Sequence, residues 1–236
     1  MSCTDKTHDR KASIESYKEL IKLFPDKKIK LILVTVDYAT SQELKEELID
    51  LIFPLNSMLD INISFTFKMA ARGKGFDYET GEPVSSQSKI LLTGQGADEL
   101  FGGYSRYRVA YIRDSYRGVQ DEMNLDLGRF WIRNLARDDR IIASEGKESR
   151  IPFLDHNIFR FAKSIPLYLN VRMNSKTDKT DWSNKLVLRK LAECLNLSVA
   201  ANLAKKAIQF GTGIAKVSNI KQHGSNRKGK GIDKAY

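Results

Sequence analysis

Ser88–Tyr107 reads SKILLTGQGADELFGGYSRY. Ile90, Leu91 and Leu92 form a short apolar run that predicts a buried strand. Thr93-Gly94-Gln95-Gly96 breaks the pattern, and Asp98-Glu99 opens a predicted helix. The two glycines can take backbone angles that a β-carbon resists, so a polar ligand can come close to the main chain. Free N–H groups at a helix start favour anions. Two carboxylates at that place would repel an anion unless a cation stood between them, which makes phosphate with Mg²⁺ the natural joint occupant. The plainer alternative is that Asp98 and Glu99 complement the helix macrodipole, an effect of about 0.3–1 kcal/mol. Gly102 and Gly103 follow early in the same helix, where each costs about 1 kcal/mol relative to Ala. A pair of glycines there signals close packing or a helix break.

Upstream, Ile14, Tyr17, Leu20, Ile21 and Phe24 fall at helical spacing over residues 12–24, and Pro25-Asp26 ends that helix. Lys30–Val36, KLILVTV, reads as a buried strand. SQELKEELIDLIF, from Ser41, predicts a second helix closed by Pro54. This helix–strand–helix cadence is that of an α/β layer sheet. A helix through Ser64–Ala71 is expected to stop near Gly73 and Gly75, and GFDYETGEPVSSQS reads as a polar connection into the Ile90 run. From Asp98 onward only helices and loops are expected: DELFGGYSRYRVAYIRDSY, QDEMNLDLGRFWIRNLARD, HNIFRFAKSI and WSNKLVLRKLAECLNL carry apolar residues three or four apart. Glu148 and Arg150 read as an ion pair at a helix junction before Pro152, and Lys205-Lys206 as a basic helix end before an aromatic and two glycines.

With 42% hydrophobic and 29% charged residues in 236, the chain has the composition of an ordinary globular protein with room for one good core. No apolar run approaches the ~20 residues of a membrane helix, and MSCTDKTHDRK lacks the apolar region of a signal peptide. A cytoplasmic location without membrane contact is the expectation. Cys3 and Cys194 are the only cysteines, which excludes a disulfide framework, and His8, His156 and His223 have no zinc spacing. Cys194, on an apolar helical face, is expected to be buried. Half of the formal charge of +10 lies at the end of the chain, where Lys216, Lys221, Arg227, Lys228, Lys230 and Lys234 face only Asp233. That Gly-rich tail reads as a solvated, disordered segment, with weak contact to RNA or another polyanion as the alternative. Without interleaved aromatics it does not describe a dedicated nucleic-acid reader.

Taken together, LLTGQGADELFGGYSRYR, RDDRIIASEGKESRIPFLD and KKAIQFGTGIAK resemble, in this order, the synthetase domain of glutamine-dependent asparagine synthetases, in particular the eukaryotic asparagine synthetase domain-containing proteins. The likeness runs from residue 8 to residue 218, leaving 219–236 as the basic tail. It implies an α/β fold: part of a pyrophosphatase-loop ATPase domain of the adenine nucleotide alpha hydrolase kind, a parallel sheet with helices, followed by an all-helical C-terminal part. It implies a ligase that uses ATP and Mg²⁺ to activate aspartate as β-aspartyl-AMP, with ammonia from glutamine attacking the acyl-adenylate. By position, Gly94, Gln95, Gly96 and Asp98 match the nucleotide and pyrophosphate loop, and Asp98 the carboxylate that helps hold Mg²⁺. Glu148 matches the acid near the reacting carboxyl group. Lys206 matches the lysine that stabilises developing negative charge, with Lys205 as the alternative because the offset from Phe210 differs by one.

Two departures qualify the likeness. An SGGxDS nucleotide loop and a glutaminase half, which the family places upstream, do not occur in these 236 residues, so the chain is expected to be the C-terminal part of a longer protein, inactive alone. Gln95 stands where the biosynthetic enzymes carry an acid. A non-catalytic scaffold of the same ancestry is therefore the second expectation, with homo-oligomerisation left open.

Overall fold

A computed structural model describes residues 2–3, 5–173 and 182–217. The tail 219–236 lies outside the described residues. The chain divides into two compact units, one drawn from Met1–Leu91, Leu135–Glu148 and Ala204–Tyr236, the other from Leu92–Asn134 and Ser149–Leu203. Among the described residues no helix is long and apolar enough to cross a membrane.

The first unit begins with α1 (His8–Leu23), capped by Thr7, whose hydroxyl accepts from the Arg10 N–H. The expected strand 30–36 shrinks to β1 (Ile32–Leu33). Beyond Leu33 the backbone turns to Ser2: the Ser2 N–H donates to Val34 O at 2.8 Å and the Val36 N–H to Ser2 O at 3.2 Å. Val34 and Val36 still enter the core, as their apolar character requires. The single helix expected from Ser41 is two, α2 (Tyr38–Glu43), capped by Asp37, and α3 (Lys45–Ile52). α4 (Met58–Arg72) starts earlier than its apolar pattern suggests because Ser57 caps it, and Gly73, at φ 60°, ends it.

The segment read as a connection is an antiparallel hairpin, β2 (Lys74–Asp77) and β3 (Pro83–Ser85), with β2 also antiparallel to β1. Gly75 is thus a strand residue rather than a stop. A β-carbon there would lie 2.3 Å from Leu33 O, so only glycine lets β1 and β2 approach. α7 (Ala136–Ala143), α12 (Ile208–Gly211) and α13 (Ile214–Val217) complete this unit. Its core joins Leu48, Ile52, Ile61, Phe65, Ile141 and Ile214. Buried charges are paired around it. Arg137 reaches Asp138 at 2.6 Å and Asp60 at 2.7 Å, and Lys68 meets Glu47, Glu145 and Ser144. Burial pushes the Cys3 thiol up to about 11, which leaves it protonated and unreactive at neutral pH.

β4 (Ile90–Leu92) and β5 (Glu148–Arg150) are the strands at which the chain passes from one unit to the other. They run in the same direction: the Glu148 N–H donates to Lys89 O at 2.8 Å, and the Thr93 N–H to Arg150 O at 2.9 Å. The parallel part of the sheet is therefore this pair, and the three-stranded sheet is antiparallel. The expectation of helices alone after Asp98 fails at β5. The expectation that Ile90–Leu92 is buried fails too, because among the described residues β4 pairs with β5 alone and alternates, leaving Ile90 and Leu92 exposed.

The second unit is helical: α5 (Ala97–Phe101), α6 (Arg106–Phe130), α8 (His156–Ser164), α9 (Leu167–Asn170), α10 (Leu186–Cys194) and α11 (Ser198–Asn202), with a π-helical turn at Trp131–Leu135 and a 3₁₀ turn at Pro152–Leu154. α6 breaks at Asp114–Ser115, where Ser115 takes φ 50°, ψ −145°. Past the break the chain returns so closely that a β-carbon on Gly118 would sit 2.5 Å from Ala110 O. Two apolar clusters hold this unit, Leu100–Phe101–Ala162 with Phe153, Leu154 and Leu188, and Tyr107–Val119–Met123–Val171 with Tyr111 and Trp182. Cys194 is exposed, against expectation. α10 turns Val187 and Leu188 into the first cluster and leaves Leu191 and Leu195 outside with the thiol.

Candidate functional site

Thr93–Gly96 is a tight loop between β4 and α5, anchored by the Thr93 backbone on Arg150 and by the Leu100 N–H on Gly96 O at 2.9 Å. Gly96, at φ 86°, needs its missing side chain twice over, since a β-carbon would also come within 2.9 Å of Leu154 Cδ2. Gly94 is different. A β-carbon there would meet nothing within 4 Å, so no internal packing calls for glycine and the space above its backbone is open. Gln95 is half-buried, and the Thr93 hydroxyl donates to its Oε1 at 3.2 Å. α5 has five residues, too few for a macrodipole of consequence, so any anion affinity falls to the loop itself.

The two adjacent carboxylates part company. Glu99 turns inward, 3% exposed, accepting from the Tyr104 hydroxyl at 2.5 Å and from Asn134 Nδ2 at 3.2 Å. Burial raises its pKa, and the Tyr104 bond opposes the rise. The same burial, with Glu99 beside it, pushes the Tyr104 phenol well above its ordinary range, so the pair stays a neutral donor on an acid. Arg106 stacks 4.2 Å over the Tyr104 ring and also reaches Asp126, which accepts from the Tyr107 hydroxyl at 2.7 Å and from Arg129 at 2.6 Å. Burial would raise the Asp126 carboxyl, but these donors outweigh it and hold the group below the usual range.

Asp98 stays near the surface, and Lys185 is its cation: Nζ lies 2.7 Å from Asp98 Oδ1. The glycine pair predicted to mark close packing or a helix break does both. Gly102, at φ 73°, ends α5 against Val171, whose Cγ1 a β-carbon would approach to 2.3 Å. A β-carbon on Gly103 would fall 1.9 Å from Asp98 Oδ1 and 2.4 Å from Lys185 Cε. Sequence reasoning missed Lys185, which sits 87 positions from its partner and reads as an ordinary helix-start lysine. It also missed Arg189, whose guanidinium binds Asn184 O at 3.0 Å, Ala201 O at 2.6 Å and Leu203 O at 2.9 Å, fixing the segment before Ala204.

Gly94, Gln95, Gly96 and Asp98 are thus brought together in the second unit. Glu148 and Lys206 belong to the first. Glu148 is exposed at the start of β5, on the same face as Arg150, and Lys206 is exposed in the irregular stretch before α12, with Lys205 half-buried beside it. Among the described residues no group of three or more His, Cys, Asp or Glu side chains could hold a metal ion. One carboxylate already carrying an ammonium does not by itself fit Mg²⁺, which takes near-octahedral oxygen coordination.

Comparison with known proteins bears on this loop directly. The family model described as asparagine synthase matches residues 77–119 and 113–213, more than half of the chain. The chain is similar to asparagine synthetase domain-containing protein 1 of Gallus gallus, 38% identical over 225 residues, which cover 93% of this chain and 34% of that protein. To the Homo sapiens protein of the same name it is 37% identical, over 94% of this chain and 34% of that one. A putative glutamine-hydrolysing asparagine synthetase of Methanocaldococcus jannaschii is 31% identical over 166 residues, 59% of this chain and 31% of that protein. The chain spans about a third of the length of the curated relatives it matches.

Proposed function

The chain belongs to the asparagine synthase family, and on that premise we propose that it supplies part of an ATP-dependent ligase site that activates the side-chain carboxylate of aspartate. In the reaction proposed, a carboxylate oxygen attacks the α-phosphorus of ATP, pyrophosphate leaves, and ammonia then displaces AMP from the acyl-adenylate to give asparagine. In the whole protein glutamine would be the source of the ammonia.

The observation that supports this reading is the loop itself. Gly94 is a glycine without an internal reason, open above its backbone, beside a Gly96 whose left-handed angle shapes the turn. Such a loop admits phosphate oxygens to main-chain N–H groups at distances a side chain would forbid. In the same reading Glu148 orients the reacting carboxyl group or ammonia, and Lys206 balances the charge that develops on the phosphates. Mg²⁺ would neutralise the pyrophosphate when bound, with most of its ligands drawn from outside the described residues. The chain's own contribution is binding and orientation through the loop.

The test, made on the whole protein, is aspartate-dependent exchange of labelled pyrophosphate into ATP, with hydroxylamine added to trap the acyl group. Exchange that requires aspartate, and a hydroxamate of aspartate, would support the reading. Exchange that ignores aspartate would overturn the substrate assignment.

Gln95 favours a second reading, a non-catalytic scaffold of the same descent. Its amide cannot serve as a base, and its Oε1 accepts from Thr93 within its own loop. That reading expects neither exchange nor a rise in Tm with ATP, whereas a ligand at ~100 Kd would add about 2.7 kcal/mol.

A further inference from the structure

We propose that Lys185 is a positioning residue of this site, an internal cation that stands on Asp98 where a divalent metal would otherwise stand. The inference deepens the proposed function, since it concerns the same loop. Three observations carry it. The ammonium is 2.7 Å from Asp98 Oδ1, and that oxygen has almost no exposed surface although each side chain is about a quarter exposed, so the lysine stands between Oδ1 and solvent. Lys185 is held at φ 52°, a backbone angle that a residue with a β-carbon avoids, by its N–H on Phe101 O at 3.1 Å. Strain of this kind persists where the surroundings impose it and clusters at functional sites. Finally, Gly103 leaves room for the pair and for nothing more: its absent β-carbon would overlap both Asp98 Oδ1 and Lys185 Cε.

The consequence is competition. A Mg²⁺ or Mn²⁺ ion bound to Asp98 would lie about 2 Å from its oxygen, inside the space that the ammonium fills, and two cations so close repel strongly. A metal reaches Asp98 only by displacing Lys185. The lysine therefore orients the carboxylate while the site is empty and raises the metal concentration at which Asp98 exchanges partners.

Dilute Mn²⁺ broadens the amide resonances of residues it visits even when it binds weakly, so the whole 236-residue chain can be examined without nucleotide. Four forms are compared at equal Mn²⁺: wild type, Lys185→Arg, Lys185→Gly and Lys185→Gly with Asp98→Asn. Glycine takes the backbone angle at 185 freely, so that variant removes the ammonium while relieving the chain. Lys185→Met repeats the test should the glycine variant lose its fold. Broadening at Gly94–Asp98 is expected to rise severalfold in Lys185→Gly, to stay at the wild-type level in Lys185→Arg, and to return to that level in the double variant. Equal broadening in wild type and Lys185→Gly would overturn the proposal, as would broadening that survives Asp98→Asn. A purely structural lysine would shift stability and leave the Mn²⁺ pattern alone. Passing this test while the whole protein shows no aspartate-dependent exchange would overturn the proposed function and leave the role of Lys185 standing, and the reverse pair of results would do the opposite.

Discussion

Replacing Gly103 with alanine sets the Asp98–Lys185 pair against a single methyl group. The new carbon would start 1.9 Å from Asp98 Oδ1, 2.4 Å from Lys185 Cε and 2.8 Å from Asp98 Cγ. The oxygen would have to withdraw by about 1.1 Å merely to reach 3.0 Å, a separation still tighter than most β-carbon contacts. It cannot withdraw and keep its ammonium in place, so the variant loses the ion pair or shifts the turn that follows α5. Overpacking of this size costs typically 1–3 kcal/mol. The sign is informative, because a glycine with room for a methyl group gains about 0.4–1 kcal/mol on becoming alanine. For a chain of this length Tm moves by about 2–4 °C per kcal/mol, so Gly103→Ala should lower it by about 2–12 °C. Urea unfolding at pH 7 checks the free energy directly. The same substitution made in an Asp98→Ala, Lys185→Gly background should cost less than about 0.5 kcal/mol, since the atoms it strikes are gone and neighbouring sites of this kind are not additive. A Gly103→Ala that stabilises the wild-type chain, or that costs the same in both backgrounds, would refute the packing argument.

Ser115→Gly should do the reverse and stabilise by about 1–3 kcal/mol, because φ 50°, ψ −145° is a region essentially reserved for glycine; a denaturation midpoint that falls would contradict the break described in α6. Asp126 gives a pH dependence. Its folded pKa is depressed, so its contribution is fully present above the unfolded value of about 3.8 and is lost as pH falls through the lower folded value. Asp126→Asn should accordingly be less stable at pH 7 and should flatten the acid limb of the stability profile below about pH 4, read by urea unfolding across pH 2–7.

Much of the fold is written locally, and the parts that are not share a cause. α1 and α8 announce themselves because apolar spacing and a capping residue, Thr7 or Asp155, lie within a few residues of each other. The β2–β3 hairpin does not, because its strands are only four and three residues long with a single large apolar residue in each, and Gly75 owes its place to the Leu33 carbonyl some forty residues away. The break in α6 is marked by neither glycine nor proline. What accommodates it is Gly118, three residues on, which lets the returning chain pass close to the Ala110 carbonyl. In the candidate site the glycines and Asp98 were legible, and even the Gly102–Gly103 pair announced its purpose. The cation at Asp98 was not, since a lysine at a helix start carries no local sign of the carboxylate it will meet.

The first unit is assembled from stretches that leave the ribosome far apart in time. The Cys3 N–H donates to Thr212 O at 2.9 Å, and Ile214, with no exposed surface, shares a core with Leu48, Ile52 and Ile61. Both halves of the second unit are synthesised before those closing residues appear. At about 5–20 residues per second, roughly 6–24 s separate residue 91 from residue 212. During that interval the apolar faces of α3 and α4 wait for the segment that closes over them, while the unit bearing the glycine loop is itself being synthesised and is complete at Leu203, nine residues before Thr212. Vectorial synthesis thus leaves the first unit open for the whole time the second is being made, and it is the first that would call on a chaperone.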